Sequence, residues 1–170
     1  MSDLRSAPLP GPSEEDHVRG PADAPLALLY ADFECPYCAA EAQKLATVRL
    51  RVAFRHFPVR TSHPRAWAAA AAAEAAGLQG CFWEMHDSLL ADQGRLEDPH
   101  LWERARTLGL DLDRFEADRR GEAVRLHVRR DFEGGVRAGV VITPTLFAPG
   151  GGRLAGQIEA RELDALSARP

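Results

Sequence analysis

The chain has 170 residues, of which 45% are hydrophobic and 27% are charged, and its formal net charge is −4 at pH 7. This length and composition are typical of one globular domain with a core of its own. A weakly acidic chain has no general attraction for nucleic acid or for an anionic membrane surface, so we expect neither as a partner. Three cysteines are too few for a secreted scaffold held together by disulfide bonds.

The N-terminal segment does not have the pattern of a secretory signal. Residues 1–15 contain three prolines and scattered charges, without a basic segment followed by an apolar run and a small-residue cleavage site. No stretch of the chain approaches the roughly 18 consecutive apolar residues of a membrane-spanning helix. We therefore expect a flexible leader over residues 1–15, no membrane span and a cytoplasmic location.

The first third of the chain predicts a strand, a helix and a second strand. Residues 26–30 (LALLY) form a short apolar run, typical of a strand buried on both faces. Residues 36–48 have apolar positions at helical spacing, and Pro36 suits the first turn of that helix. Residues 50–57 alternate between apolar residues and arginines, which predicts a strand with one solvent-exposed face.

The middle of the chain, residues 63–139, is predicted to be helical throughout. An alanine-rich segment over residues 64–76 favours a helix that ends at Gly77. Further amphipathic stripes predict helices over residues 82–90, 101–108, 112–119 and 124–136.

The last part of the chain predicts two short strands and a helix. Residues 145–148 and 153–157 are strand-like and flank a glycine-rich turn, and residues 159–168 are helical. Together these elements predict an α/β fold in which helices cover a sheet of four strands, with an inserted helical subdomain.

The clearest chemical motif is Cys35-Pro36-Tyr37-Cys38, which follows the first predicted strand and opens a helix. In a cytosolic chain, C-x-x-C beside such a strand-helix-strand pattern is typical of a redox pair. The helix N-terminus stabilises the Cys35 thiolate, so we expect its pKa to lie below about 8.5 and Cys35 to act as the nucleophile. Cys38, one turn inside the helix, lies within disulfide reach and suits the resolving thiol.

A zinc site is the alternative interpretation of the two cysteines. A structural zinc ion needs four ligands, and beyond the pair the chain offers only Cys81 and scattered histidines, without a second paired motif. We therefore expect neither a metal nor another cofactor. Cys81 and His86 are interpreted mainly as packing residues of the helical block, with a third redox thiol and a general base as the less favoured alternatives.

Several segments of the chain resemble the DsbA-like branch of the thioredoxin superfamily, over about residues 16–166. They are DFECPYC at 32–38, HFP at 56–58, QGCFWEMHD at 79–87 and GVVITPTLF at 139–147. The resemblance implies a thioredoxin fold interrupted by a helical domain. The core would comprise residues 16–62 and 140–170, and the insertion residues 63–139.

The resemblance also implies roles for four residues besides the cysteines. Pro144 would be the cis-proline that faces the cysteine pair, and Thr143 would offer backbone groups to a substrate peptide. Pro36 and Tyr37 would form the dipeptide that tunes the redox potential of the pair.

One position departs from the pattern of these relatives. Thioredoxin-like and DsbA-like proteins commonly carry a buried acid six residues before the nucleophile, where this chain has Leu29. Asp32 and Glu34 are candidates to replace that acid in proton transfer for Cys38, or they lie exposed at the rim of the site. A carboxylate beside Cys35 would also raise the pKa of its thiol.

We therefore predict a thiol–disulfide oxidoreductase that acts on protein or peptide thiols and disulfides and depends on a separate recycling partner. The sequence does not determine the direction of exchange, and the absence of a signal peptide favours reduction or general exchange in the cytoplasm. The alternative is a non-catalytic redox-sensing or partner-binding domain of the same fold, because members of this branch also resemble C-terminal domains of sodium/proton antiporters. A glutathione-dependent enzyme of related fold normally lacks the second cysteine, so Cys38 argues against it.

Overall fold

A computed structural model describes residues 11–167 of the chain. Its strands are β1 (His17–Arg19), β2 (Leu26–Ala31), β3 (Arg51–His56), β4 (Thr145–Phe147) and β5 (Arg153–Ala155). They form one five-stranded sheet in the order β1-β3-β2-β4-β5. β2 and β3 are parallel and the other neighbouring pairs are antiparallel, so the sheet is mixed.

Helices cover both faces of this sheet. They are α1 (Pro36–Leu45), α2 (Ala66–Gly77), α3 (Phe82–Ala91), α4 (Asp98–Thr107), α5 (Leu112–Arg120), α6 (Glu122–Arg137) and α7 (Ala160–Ser167). α2 to α6 follow one another between β3 and β4, in the region where the sequence predicts only helices. The predicted α/β fold is confirmed, whereas the exact domain boundaries at residues 63 and 139 stay a prediction.

The sheet has one strand more than the sequence predicts. β1 has three residues and pairs antiparallel with β3, His17 lying opposite Phe54. Three residues are too few for an alternating pattern to be recognised, so the segment has no clear strand signature. The predicted leader ends just before β1, and its first ten residues lie outside the described part of the chain.

The expectation of a solvent-exposed face on β3 is wrong. Arg55 is buried, and its guanidinium donates to both carboxylate oxygens of Asp16, at 2.7 and 2.9 Å, and to the Tyr30 hydroxyl at 3.1 Å. Both faces of the strand are covered, because α6 packs on the side where water was expected. There Phe132 of α6 stacks on Phe57, with 4.7 Å between ring centroids.

Candidate active site

The end of β2 and the start of α1 position the cysteine pair. Cys35 is the N-cap residue of α1, with an extended backbone, and Pro36 lies in the first turn, where its missing N–H costs nothing. The backbone N–H groups of Cys38 and Ala39 donate to the Cys35 carbonyl, at 3.1 and 3.3 Å. Both thiols are free, and Cys35 and Cys38 are only 3% and 2% exposed.

The pKa of Cys35 is lowered from an ordinary 9.0 to about 5. Hydrogen bonding with the Cys38 thiol contributes most, and burial opposes it by raising the pKa. The Thr143 side chain and the first backbone N–H groups of α1 lower the pKa further. Cys35 is therefore a thiolate at neutral pH, as its place at a helix N-terminus predicts.

Cys38 is shifted in the opposite direction. Burial raises its pKa well above 9.0, and the interaction with Cys35 raises it further. The backbone N–H of Asp32 donates to the Cys38 sulfur at 3.4 Å and opposes the shift in part. At neutral pH Cys38 therefore keeps its proton while Cys35 has lost its own.

The loop before β4 brings Thr143 and Pro144 to the pair. The Thr143–Pro144 peptide bond is cis. The Cys35 sulfur lies 3.4 Å from the Thr143 carbonyl oxygen, to which its thiol form donates. The predicted residues of the site thus lie together, although they are more than 100 positions apart in the sequence. Tyr37 and Ile142 expose about half of their side chains beside them.

The two acids before Cys35 have structural partners. Asp32 is 2% exposed, so of the two alternatives for this residue exposure at the rim is wrong. One of its oxygens accepts from the backbone of Val59 and lies 2.8 Å from His63 Nδ1, and the other accepts from the backbone of Glu34. Glu34 is bound in turn by the backbone and side chain of Arg65, at 2.7 and 3.1 Å. Both carboxylates therefore hold the loop in place.

A different buried acid lies on α1 itself. Glu41, one helical turn beyond Cys38, is 1% exposed, and burial raises its pKa despite Lys44 beside it. Lys44 also donates to the Ile158 carbonyl at 2.6 Å. The Leu29 position on β2 is buried and apolar, and the buried acids of this part of the chain are Asp32, just after β2, and Glu41 on α1.

Gln93, which follows α3, is a site residue that the sequence did not reveal. Its side-chain amide donates to the carbonyl oxygens of Phe33 and Cys35, both at 2.8 Å. It therefore ties the helical block to the backbone that carries the nucleophile. A single glutamine in a loop has no sequence signal that would have predicted this contact.

Cys81 and His86 lie in the helical block, where the sequence analysis placed them. Cys81 is the N-cap residue of α3 and is half-buried. His86 is buried, with its ring 5.0 Å from the rings of both Phe54 and Trp83 and its Nδ1 2.7 Å from Asp87. Burial lowers the pKa of His86, in keeping with a neutral packing residue.

A buried thiol pair with opposite pKa shifts, at the start of a helix beside a mixed sheet, is the arrangement of the thioredoxin-fold thiol proteins. The family model described as "Thioredoxin" matches residues 12–166, and the chain belongs to this family. Solved structures of DsbA-type proteins share its fold.

Two solved structures illustrate the likeness. A thioredoxin-like oxidoreductase from Silicibacter pomeroyi has a TM-score of 0.78 and 25% identity, and the match covers 91% of each chain. The thiol-disulfide exchange protein alpha-DsbA2 from Wolbachia pipientis has a TM-score of 0.77 and 19% identity, over 89% of this chain and 87% of that one. The second similarity concerns the fold alone.

The curated relatives are longer proteins, named as sodium/proton antiporters. The Na(+)/H(+) antiporter NhaA 1 of Salinispora arenicola is 50% identical over 151 residues, which are 84% of this chain and 23% of the antiporter. The chain thus spans about a quarter of the length of the curated relatives that it matches. Among residues 11–167, no helix is both long enough and apolar enough to cross a membrane.

Proposed function

We propose that this chain is a protein thiol–disulfide oxidoreductase with Cys35 as the nucleophile and Cys38 as the resolving thiol. The observation that carries the proposal is the difference between the two sulfurs. The pKa of Cys35 is lowered to about 5 and that of Cys38 is raised. At neutral pH the Cys35 thiolate can therefore attack a disulfide, whereas Cys38 stays protonated until it resolves the mixed disulfide.

In the reducing direction the exchange has two steps. The Cys35 thiolate attacks one sulfur of a substrate disulfide, whose S–S bond breaks and releases a substrate thiolate. Cys38 then loses its proton, which passes to the released thiolate, and attacks the Cys35 sulfur. The mixed disulfide breaks, the second substrate sulfur leaves, and two electrons have passed from the cysteine pair to the substrate. Oxidation of a substrate dithiol is the same sequence in reverse.

The substrate surface in this proposal is the exposed rim around the pair. The Thr143 carbonyl lies beside the Cys35 sulfur and is followed by Pro144, and the half-exposed side chains of Tyr37 and Ile142 are their neighbours in the chain. An extended peptide beside Thr143 would place its sulfur next to Cys35. Pro36 and Tyr37, which lie between the two cysteines, would set the redox potential through the environment of the thiolate.

The stability of the reduced pair affects how strongly the disulfide form oxidises a substrate. A thiolate stabilised to a pKa of about 5 favours the reduced protein, which makes the disulfide form a stronger oxidant. This stabilisation opposes the preference for reduction that was predicted from the sequence. We therefore propose general exchange with protein disulfides, in a direction set by the recycling partner, and we keep the cytoplasm as the proposed compartment. Equilibration of the pair with glutathione buffers measures its potential.

The experiment that tests the function is reduction of insulin disulfides by dithiothreitol, with three single variants. We expect Cys35→Ser to abolish the catalysed reaction. Cys38→Ser, mixed with insulin in the absence of dithiothreitol, should accumulate a mixed disulfide, because the protein has lost the thiol that resolves it. Cys81→Ser is the matched control and should keep the activity of the unmodified chain. Turnover that survives in Cys35→Ser would refute the assignment of the nucleophile.

A second candidate function is a redox-sensing or partner-binding domain without turnover. The observation that favours it is the identity of the curated relatives, which carry the names of sodium/proton antiporters and match this chain over about a quarter of their length. In that case the protein would bind a partner in one redox state only. Absence of insulin reduction, together with an unshifted Cys35 pKa near 9, would favour this candidate over the first.

A further inference from the structure

A second cluster of titratable side chains lies away from the cysteine pair, where β1, α2 and α6 meet. His17 of β1, Glu74 of α2 and His127 of α6 each bring one possible ligand atom to within 4.8 Å of the others. The proposed thiol chemistry uses none of these residues. Their sequence separations are large, which is why the sequence shows only scattered histidines and no metal-binding motif.

The possible ligand atoms of this cluster lie close together, and His17 is hydrogen-bonded to Glu74. His17 Nε2 lies 2.8 Å from one Glu74 oxygen, His127 Nδ1 lies 3.4 Å from the other, and the ligand atoms are all within 4.8 Å of one another. Ligands about 2.0–2.2 Å from a zinc ion lie roughly 3–4 Å apart, so small side-chain movements would suffice. Two imidazoles and a carboxylate are the donors of many three-ligand zinc sites.

Neighbouring side chains hold the three ligands in position. His56 is almost fully buried, and its Nε2 lies 2.7 Å from Glu74 Oε1, while its Nδ1 has no hydrogen-bond partner among the described residues. His56 therefore carries its proton on Nε2 and donates to the carboxylate. The ring of His17 stacks on Phe82, with 3.5 Å between centroids. Such contacts orient metal ligands and tune their basicity.

The His127 ring nitrogen that faces away from Glu74 lies beside an acid and a cation. Its Nε2 lies 3.6 Å from the buried Asp131 carboxylate and 3.2 Å from the Arg130 guanidinium, which also binds Asp131 and Glu15. Because a guanidinium only donates, the Arg130 contact as it stands makes Nε2 an acceptor. A metal ion on Nδ1 requires the proton on Nε2, so its binding would exchange this contact for one from Nε2 to Asp131, now 3.6 Å away. The positive charge of Arg130 thus lies on the side of the ring opposite to the ion.

The cluster is open enough for an ion to enter. The side chains of His17 and His127 are 23% and 20% exposed, whereas Glu74 is 6% exposed. We propose that His17, Glu74 and His127 bind one Zn²⁺ ion, with water as the fourth ligand. The alternative is a network in which the three histidines only satisfy a buried carboxylate, and this is the outcome that would overturn the proposal.

The test uses untagged protein in a Cys35→Ser/Cys38→Ser/Cys81→Ser background, because thiolates bind zinc themselves. Zn²⁺ is titrated in competition with a chromophoric chelator, and Co²⁺ serves as a spectroscopic substitute. We expect one ion per chain and a Co²⁺ absorption spectrum typical of low coordination number. Absence of binding at micromolar Zn²⁺ would overturn the proposal, whatever the activity of the cysteine pair.

Histidine variants in the same background locate the ion. His17→Asn and His127→Asn should each weaken Zn²⁺ binding by about tenfold or more. His100→Asn, which changes a histidine outside the cluster, should leave it unchanged. The two cluster histidines belong to different elements, so if one variant fails to fold, the other still decides. Unchanged affinity in a folded His17 or His127 variant would place the ion elsewhere and refute the assignment.

Discussion

At the scale of single residues, two thiols three positions apart have opposite acidities because their surroundings differ. Cys35 lies at the helix start, where the Cys38 thiol, Thr143 and backbone N–H groups stabilise its negative charge. Burial raises the pKa of Cys38, and a second thiolate at this position would also be repelled by the charge on Cys35. The same four-residue motif thus produces both a nucleophile and a proton-holding partner.

The first prediction concerns the ionisation of Cys35. In a Cys81→Ser background, the rate of alkylation by iodoacetamide should rise with pH to a plateau, with a midpoint at about pH 5 instead of about 9. The reason is that only the thiolate reacts and Cys38 remains protonated over this range. Thiolate absorbance at 240 nm gives the same midpoint independently. A midpoint near 9 would contradict the stabilisation described for Cys35.

Cys38→Ala provides the matched comparison. Because the hydrogen bond with Cys38 contributes most to the low pKa of Cys35, its removal should move the alkylation midpoint upwards. An unchanged midpoint would mean that the helix start and Thr143 suffice without the second thiol.

The sequence predicted the residues of the site that belong to a local motif and did not predict those that are brought in by the fold. The spacing of Cys35 and Cys38 and their place after a strand are local features, so their chemistry was readable. Pro144 was assigned only through resemblance, since an X-Pro pair by itself predicts a turn. Gln93 reaches the Cys35 carbonyl from the helical block, and no periodicity encodes such a contact.

At the scale of elements, helices were predicted better than strands. A helix such as α6 repeats its apolar positions over several turns, whereas β1 has three residues and no repeat. β1 exists because β3 offers it an open edge to pair with, which is a property of the sheet. The covered face of β3 was not predicted for a similar reason. An arginine in a strand pattern indicates solvent exposure, and Arg55 is buried because the fold places Asp16 beside it.

The second prediction concerns the packing of α6 on the sheet. A side chain at Gly135 would place its Cβ 2.6 Å from Phe57 Cδ2 and 3.0 Å from Tyr30 Cδ1, so the helix can approach only because this residue is glycine. Gly135→Ala should therefore destabilise the protein by about 1–3 kcal/mol, measured by urea unfolding, despite the better helix propensity of alanine.

Gly134→Ala is the matched control in the same helix. A Cβ there would meet only the Tyr30 hydroxyl, at 3.4 Å, which is close to ordinary contact. The gain in helix propensity, up to about 1 kcal/mol, should leave this variant as stable as the unmodified chain or more stable. Equal losses in both variants would contradict the close approach at Gly135.

At the scale of the whole molecule, the low pKa of Cys35 couples folding to redox state. In the unfolded chain its thiol returns to an ordinary pKa near 9, whereas in the folded reduced chain the pKa is about 5. A depressed folded-state pKa adds stability that is complete above the unfolded pKa and is lost as the pH falls through the folded pKa. The disulfide form has no thiolate and therefore lacks this contribution.

The third prediction follows for the pH dependence of unfolding. Between about pH 5 and pH 9, the free energy of unfolding of the reduced protein should rise relative to that of the oxidised protein, with a slope of at most about 1.4 kcal/mol per pH unit. Urea unfolding of both forms over this range measures the difference, in which other titrating groups cancel to first approximation. Reduced Cys35→Ser should follow the oxidised form, because it too lacks the thiolate. Parallel profiles for the reduced and oxidised chains would show that the Cys35 thiolate is not stabilised by folding, and would remove the physical basis for a pair that favours its reduced state.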